Sequence, residues 1–328
     1  MPKSSLYLLL SGLFVLAVLA SLSSGGRSDV GLNELFGVFN GSNSALANTV
    51  MIDIRLPRTV CAALIGICLG LSGLILQAVT RNPLASPSIL GINQGAALGL
   101  VATLVFPQAA AIGVGFLSVT GAIVAGGLTF IIAGGLQGKL NSLRLILGGI
   151  TVGAFAYAFA RFALTLDDDV ASAVLQWSAG NVGDVRWPDA QLLIGWSVLG
   201  MVITLLLSHR FNLLALGDSS AQGLGADPRV TLLIGTLLAA VLAGVCVSIA
   251  GPIAFVGIVI PHVCRYLFGL DYRVLVGAVS LTGATLMVIG DALSKWMGGP
   301  SEMPIGVVVA LIGAPYFLYQ TFMEKDLG

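Results

Sequence analysis

The chain has 328 residues, of which 57% are hydrophobic and only 9% charged, and its formal net charge is zero. Soluble domains carry roughly a quarter charged residues, so a mean hydropathy of +1.00 excludes water as the main solvent. Balanced charge leaves no basic footprint for nucleic acid. What remains is an all-α polytopic membrane protein, read as one transmembrane domain over 1–328, and its 43 glycines suit closely packed membrane helices.

The N-terminal run MPKSSLYLLLSGLFVLAVLASLSSGG has the lysine, apolar stretch and small residues of a signal peptide. With many spans following it, the expected reading is an uncleaved first helix. A bilayer crossing needs about 20 apolar residues. Cutting at charges and at Gly, Pro, Asn and Asp punctuation gives about ten spans, near 5–23, 57–79, 88–106, 111–134, 143–166, 190–208, 230–249, 252–269, 274–292 and 304–322. Two longer loops are expected, Asp167–Asp189 and His209–Arg229.

Basic residues favour the cytoplasmic side. Ten spans with the N-terminus inside place Lys3, Arg81, Lys139, Arg144, Arg210, Arg229, Arg265, Arg273 and Lys325 in the cytoplasm. Arg27, Arg55, Arg58, Arg186 and Lys295 then lie outside, and Arg161 within a span near Asp167–Asp169. The assignment depends on 252–269 crossing, although Pro252, Gly257 and Pro261 interrupt it. Arg55 and Arg58, in DIRLPR, sit against the general bias. They read either as functional or as flanking anchors that snorkel.

Further along, RNPLASPSILGINQGAALG (Arg81–Gly99) joins two prolines, polar Asn82, Asn93 and Gln94, and a GxxxG. Irregular backbone at membrane depth survives only when buried in protein or lining a cavity, and the alternative is a plain cytoplasmic turn. AGPIAFVGIVIPH (Ala250–His262) reads as a broken helix, of the kind that marks transporter pathways, or as a simple proline kink. NLLALGDSSAQGLGADP (Asn212–Pro228) reads as short helices joined at glycines, with Leu213, Leu216 and Ala221 on one face, suited either to docking a partner or to packing on its own bundle.

No phosphate loop, nucleophile elbow or metal-binding helix motif occurs, so no catalysis is expected in this chain. Cys61 and Cys68 lie about 10 Å apart along a helix, too far for a disulfide, and all four cysteines read as packing residues. His209 and His262 have no partner recognisable in sequence. Asp291 and Lys295, four apart, can pair on a helix.

Five stretches in order carry a resemblance: RLPR before a Gly-rich helix, RNPLASPSILGINQGAALG, NLLALGDSSAQGLG, GPIAFVGIVIPH and MPIGVVVALIGAPYFLY. From about Ile54 to Tyr319 the chain resembles the FecCD-type permeases, membrane subunits of ABC importers for iron–siderophores, haem and cobalamin. The resemblance implies ten transmembrane helices in a bacterial or archaeal cytoplasmic membrane, with both termini cytoplasmic. It implies a second permease, identical or related, with the pathway at their interface. Two copies of a cytoplasmic ATPase, holding ATP and magnesium, and an external substrate-binding protein complete the machine. Arg55, Arg58 and Lys295 fall where the family receives acidic residues of the binding protein. At the last position relatives often have Arg, and Lys lacks its bidentate fork.

Leu213, Leu216, Gly217, Asp218, Ala221, Gly223, Leu224 and Gly225 match the family's coupling loop on the ATPase, with Asp218 standing where relatives usually have Glu. Asn141 and Ser142 match a region that narrows the inner end of the pathway. The implied cargo is a ferric siderophore, with haem or cobalamin on the same machinery as alternatives. A rival of another class, an ion-coupled secondary carrier, predicts acidic or histidine residues within the spans, and here they are only terminal.

Overall fold

The computed structural model describes residues 3–25, 37, 44–137, 141–163, 165, 168–298 and 302–325. Arg27, Lys139 and Asp167, which entered the side assignment, lie outside the described residues. In chain order the main helices are α1 (Lys3–Ser23), α2 (Leu56–Thr80), α3 (Ile92–Val105), α4 (Val114–Ile132), α5 (Ser142–Ala163), α6 (Asp168–Ser178), α7 (Trp187–Leu214), α8 (Asp218–Gly223), α9 (Pro228–Ala250), α10 (Val256–Phe268), α11 (Tyr272–Gly298) and α12 (Ile305–Lys325). Apart from the short α6 and α8, these ten helices stand where ten spans are expected. Seven helical segments are long and apolar enough to cross a bilayer, and α3, α10 and the apolar part of α12 are shorter.

Helix α2 is the hub. Pro57 occupies its first turn, where a missing N–H costs nothing, and the helix packs against α7, α9, α10 and α11. Ile65, Leu71, Leu74, Ile75 and Leu76 are fully buried along it. Its contact with α11 is nearly backbone to backbone: a Cβ placed on Gly66 would lie 2.1 Å from the carbonyl oxygen of Gly283. The GxxxG of Gly95 and Gly99 serves the same purpose between α3 and α4, where a Cβ on Gly95 would lie 2.3 Å from the oxygen of Gly121. By contrast, past its first turn the exposed residues of α1 are mostly apolar, Leu8, Leu9 and Leu16 among them, as a lipid-facing helix requires.

Several expected boundaries move. Helix α7 runs to Leu214, so the loop expected from His209 begins later. Its buried Leu207, Phe211 and Leu214 continue one apolar face, and no glycine or proline interrupts the chain before Gly217. The loop expected at 167–189 contains an eleven-residue helix, α6. The turn before α3 keeps residues 82–91 out of the helix, with Ala85, Ser86 and Leu90 buried in it.

The segment 252–269 runs from one end of the bundle towards the other. As a 13-residue helix, α10 spans only about 20 Å. The non-helical residues 251–255 ahead of it add up to about 16 Å, enough together for a hydrocarbon core of about 30 Å. Its far end packs Phe268 on Tyr7, with ring centroids 4.8 Å apart, and the Tyr7 hydroxyl donates to the carbonyl of Val274 at 2.8 Å. The start of the break instead meets residues from the opposite end of the bundle: Asn181 N–H donates to Ala250 at 2.8 Å and Gly306 N–H to Gly180 at 3.0 Å.

A Gly66→Ala substitution is expected to destabilise the purified chain by at least about 2 kcal/mol, because a backbone carbonyl must shift to admit the methyl. Gly127→Ala on α4, where nothing lies within 4 Å, is expected to be neutral or mildly stabilising. Thermal unfolding in detergent distinguishes them, and equal melting temperatures would disprove the close seam.

Candidate functional site

At one end of the bundle the chain gathers its buried charge. Before α2, residues Val50–Arg55 form a wide π-type turn in which Leu56 N–H donates to Met51, five residues back. The extra residue per turn re-aims the flanking side chains, and Arg55 points inward, 5% exposed, donating to the Leu22 carbonyl at 2.8 Å. One turn on, Arg58 is 4% exposed and its Nε donates to Asp291 Oδ1 at 2.6 Å. Lys295 grips the other oxygen of the same carboxylate, Nζ to Oδ2 at 2.6 Å, which realises the i,i+4 pair expected from spacing. Ser21 donates to Oδ2 at 2.7 Å, and Lys295 also donates to the Ser21 carbonyl at 3.0 Å. Thr59 lies 2.8 Å from the Ser21 hydroxyl. Glu302, ahead of α12, pairs with Nη1 of Arg58.

Asp291 is therefore a fully buried carboxylate with both oxygens charge-paired, and it ties α1, α2 and α11 together. Removing one member of such a cluster strands a charge in low dielectric, typically at a cost of about 3–5 kcal/mol. The three cations singled out in the sequence thus converge in one place. They do so as internally bonded groups rather than as free surface charges. Ser21, Thr59 and Glu302 were not singled out by sequence reasoning. They are separated from their partners by 38 to 274 positions, and no spacing rule reaches across such distances.

The opposite end carries the glycine-punctuated loop. Gly217, at φ 101°, turns the chain into α8, and Gly225, at φ 82°, turns it out again. Asp218 at the start of α8 pairs with Arg81, the residue that ends α2 in the left-handed conformation. Ala221 is fully buried and Leu213 packs on the core, whereas Leu216 and Leu224 are each 62% exposed. Leu213, Leu216 and Ala221 therefore do not share one face. Nothing in the chain lies within 4 Å of a Cβ built on Gly223. Nearby, Asn212 donates to Asp271 Oδ1 at 2.8 Å and accepts from Tyr272 N–H at 3.1 Å. The Asn212 bond, with the Arg273 N–H, holds the Asp271 carboxyl below the usual range. Its contribution is present above the ordinary carboxylate pKa and fades as pH falls towards the lowered one.

Where the 82–91 turn packs on α5, a Cβ placed on Gly149 would lie 2.2 Å from the Ile89 carbonyl oxygen, and a cleft of about 440 Å³ beside this contact is lined by Ser88, Gln94, Gly149, Gly153 and Tyr157. The Gln94 side-chain oxygen is buried there without a hydrogen-bond partner among the described residues. Within the broken segment, Gln77 donates to the Gly257 carbonyl at 3.1 Å and accepts from Arg265. Asn141 is exposed and caps α5 by accepting from Arg144 N–H at 3.0 Å, while the Ser142 side chain lies outside the described set. The histidines find partners invisible in the sequence: His262 Nδ1 lies 2.8 Å from Gln320, and His209 Nδ1 lies 3.3 Å from Arg273. Arg161 stacks over Tyr157 at 5.6 Å, and the side chains of Asp168 and Asp169 are not described.

This architecture has known counterparts. The model of the FecCD transport family matches residues 13–322. The iron(3+)-hydroxamate import system permease protein FhuB of Bacillus subtilis is 36% identical over 97% of this chain and 83% of its own length. The Fe(3+) dicitrate transport system permease protein FecC of Escherichia coli is 38% identical, covering 85% of each chain. A solved metal-chelate type ABC transporter in an inward-facing conformation superposes with a TM-score of 0.80 at 28% identity, over 95% of this chain and 97% of that one. With ten apolar helices, a buried ion cluster at one end and a clamped loop at the other, the chain belongs to the FecCD transport family and is a multi-pass membrane permease subunit of an ABC importer.

Proposed function

We propose that this permease imports a ferric chelate of the siderophore class, in a complex with a second permease, two ATPases and an external binding protein. The named relatives act on iron(3+)-hydroxamate and Fe(3+) dicitrate, which favours that cargo over haem or cobalamin. The observation that carries the mechanism is the loop around α8. A six-residue helix clamped by Arg81 holds Leu216 and Leu224 out at the end of the bundle, where this chain does not cover them. Rigid, exposed leucines on a charged rim fit a groove on a partner protein. The ATPase, carrying ATP and magnesium, is assigned to that end, which makes it cytoplasmic together with both chain termini.

The opposite end is then external. Arg55, Arg58 and Lys295 are assigned there to the docking of the binding protein through its acidic residues. In that role the cluster both holds α1, α2 and α11 together and supplies the positive field that steers an acidic partner. Asn141 and Ser142 are assigned to the inner narrowing of the pathway. The chain itself binds no nucleotide in this scheme. ATP closes the partner ATPases, their movement enters through α8, and the permease pair alternates access at its interface.

Reconstitution tests the reading directly. The full complex in liposomes should take up a ferric hydroxamate only with ATP inside and binding protein outside; preference for haem or cobalamin would overturn the cargo, and uptake without ATPase would overturn the mechanism. A Gly223→Phe substitution should leave the melting temperature unchanged, since space around that position is open, while lowering ATP-driven uptake by at least about tenfold through loss of a partner contact. Uptake at the wild-type rate would show that α8 does not meet the ATPase. Arg55→Gln should weaken capture of the binding protein, and unchanged affinity would leave Arg55 a structural residue only.

A further inference from the structure

Arg58 offers a guanidinium with unequal commitments. Its Nε is fixed at 2.6 Å on Asp291, which is fully buried and is also held by Lys295 and Ser21. Its Nη1 meets Glu302 alone, and its Nη2 is buried with no hydrogen-bond partner among the described residues. Glu302 differs from Asp291 in every respect that governs exchange. Its side chain is 32% exposed, whereas those of Arg58, Asp291 and Lys295 are at most 5% exposed. Its backbone holds φ at 42°, a conformation that non-glycine residues adopt only when their surroundings impose it. The next residue imposes it: Met303 N–H donates to the Ser294 carbonyl at 3.2 Å, and the Ser294 hydroxyl donates back to Met303. The backbone is thus pinned to the end of α11, and the part-exposed Glu302 side chain is the group on Arg58 Nη1 that can turn away.

We propose that Glu302 is an internal competitor for Arg58, a carboxylate that occupies the guanidinium until a carboxylate of the docking binding protein replaces it. Glu302 makes one bond to the fork, through Nη1. An incoming carboxylate that bridges Nη1 and Nη2 makes two, and bidentate pairing of this kind is the stronger and more directional form. The exchange therefore gains a hydrogen bond while Asp291 keeps Arg58 in place. Glu302 also spares the free permease from leaving the outer edge of a buried guanidinium wholly unpaired, which would be costly. The inference rests on the docking role assigned to this end and adds to it the identity of the group that must leave. The competing account is a plain tether, in which Glu302 only holds the strap before α12 against α2.

The test measures affinity of the ligand-free binding protein encoded with this permease for the permease–ATPase complex in lipid nanodiscs, at fixed ionic strength. Glu302→Gln removes the charge at a part-exposed position with little change in shape. Arg58→Lys keeps the buried charge, and so the fold, but removes the fork. Exchange predicts that Glu302→Gln tightens binding by about tenfold, roughly the worth of one charge-assisted hydrogen bond, and that Arg58→Lys abolishes the gain. Asp184→Asn, an exposed acid on the same end, controls for general charge and should give no such gain. If Arg58→Lys weakens binding and Glu302→Gln weakens it or leaves it unchanged, docking at Arg58 stands and the exchange is overturned in favour of the tether. An equal gain from Asp184→Asn overturns it as well, as a general field effect. If neither Arg58→Lys nor Glu302→Gln changes the affinity, docking at Arg58 itself fails and the exchange fails with it.

Discussion

One buried carboxylate organises one end of this permease. Asp291 accepts from Arg58, Lys295 and Ser21 and so joins the first helix, the central helix and α11 at a single point. Lipid gives helices no hydrophobic reason to associate, so packing and polar contacts must hold them. The glycine seam between α2 and α11 supplies close backbone contact, and the cluster fixes which way that contact is registered. A buried salt bridge is a weak source of net stability, but an unpaired member is strongly destabilising, so the cluster acts as a specificity device: only one arrangement of these helices satisfies it.

The same helix that begins at the cluster ends at the α8 loop. Arg58 lies in the first turn of α2, and Arg81, immediately after its last turn, pairs with Asp218. At 25 residues, α2 spans about 37 Å. It is the most buried of the long segments, and no proline interrupts it after its first turn. A helix so enclosed moves as a unit or not at all. That gives a physical line between the end assigned to the binding protein and the end assigned to the ATPase. Beside it, the broken segment ahead of α10 and the turn ahead of α3 supply the irregular backbone that a pathway needs. Both are partly buried in protein, and carbonyls at their edges find partners there: that of Ala250 accepts from the Asn181 N–H and that of Leu90 from Thr129.

Much of this was legible in the sequence because membrane helices announce themselves by length and hydropathy. Each of the ten expected spans has a helix in its place, seven of them long enough to cross, and the Asp291–Lys295 pair follows from helical spacing alone. The extension of α7 to Leu214 was missed because His209 and Arg210 looked like a boundary, whereas the apolar face of Phe211 and Leu214 carries the helix past them. The GxxxG of α3 was legible as a motif but not as a seam, since its partner Gly121 is set by the fold. The burial of Arg55 and Arg58 was not legible at all. Flanking arginines look alike whether they snorkel, dock or pair inward. Ser21, Thr59 and Glu302 decide the matter, and only tertiary packing brings them together.

The central claim, that this end of the bundle depends on the Arg58–Asp291 pair, is most directly tested by a double-mutant cycle on thermal unfolding of the purified permease. Arg58→Leu and Asp291→Leu should each destabilise strongly, while the double variant recovers much of the loss, giving a coupling of about 2–3 kcal/mol between the two positions. Losses that simply add would show that the two side chains do not depend on one another, and the cluster would then be a bystander to the fold rather than its tie.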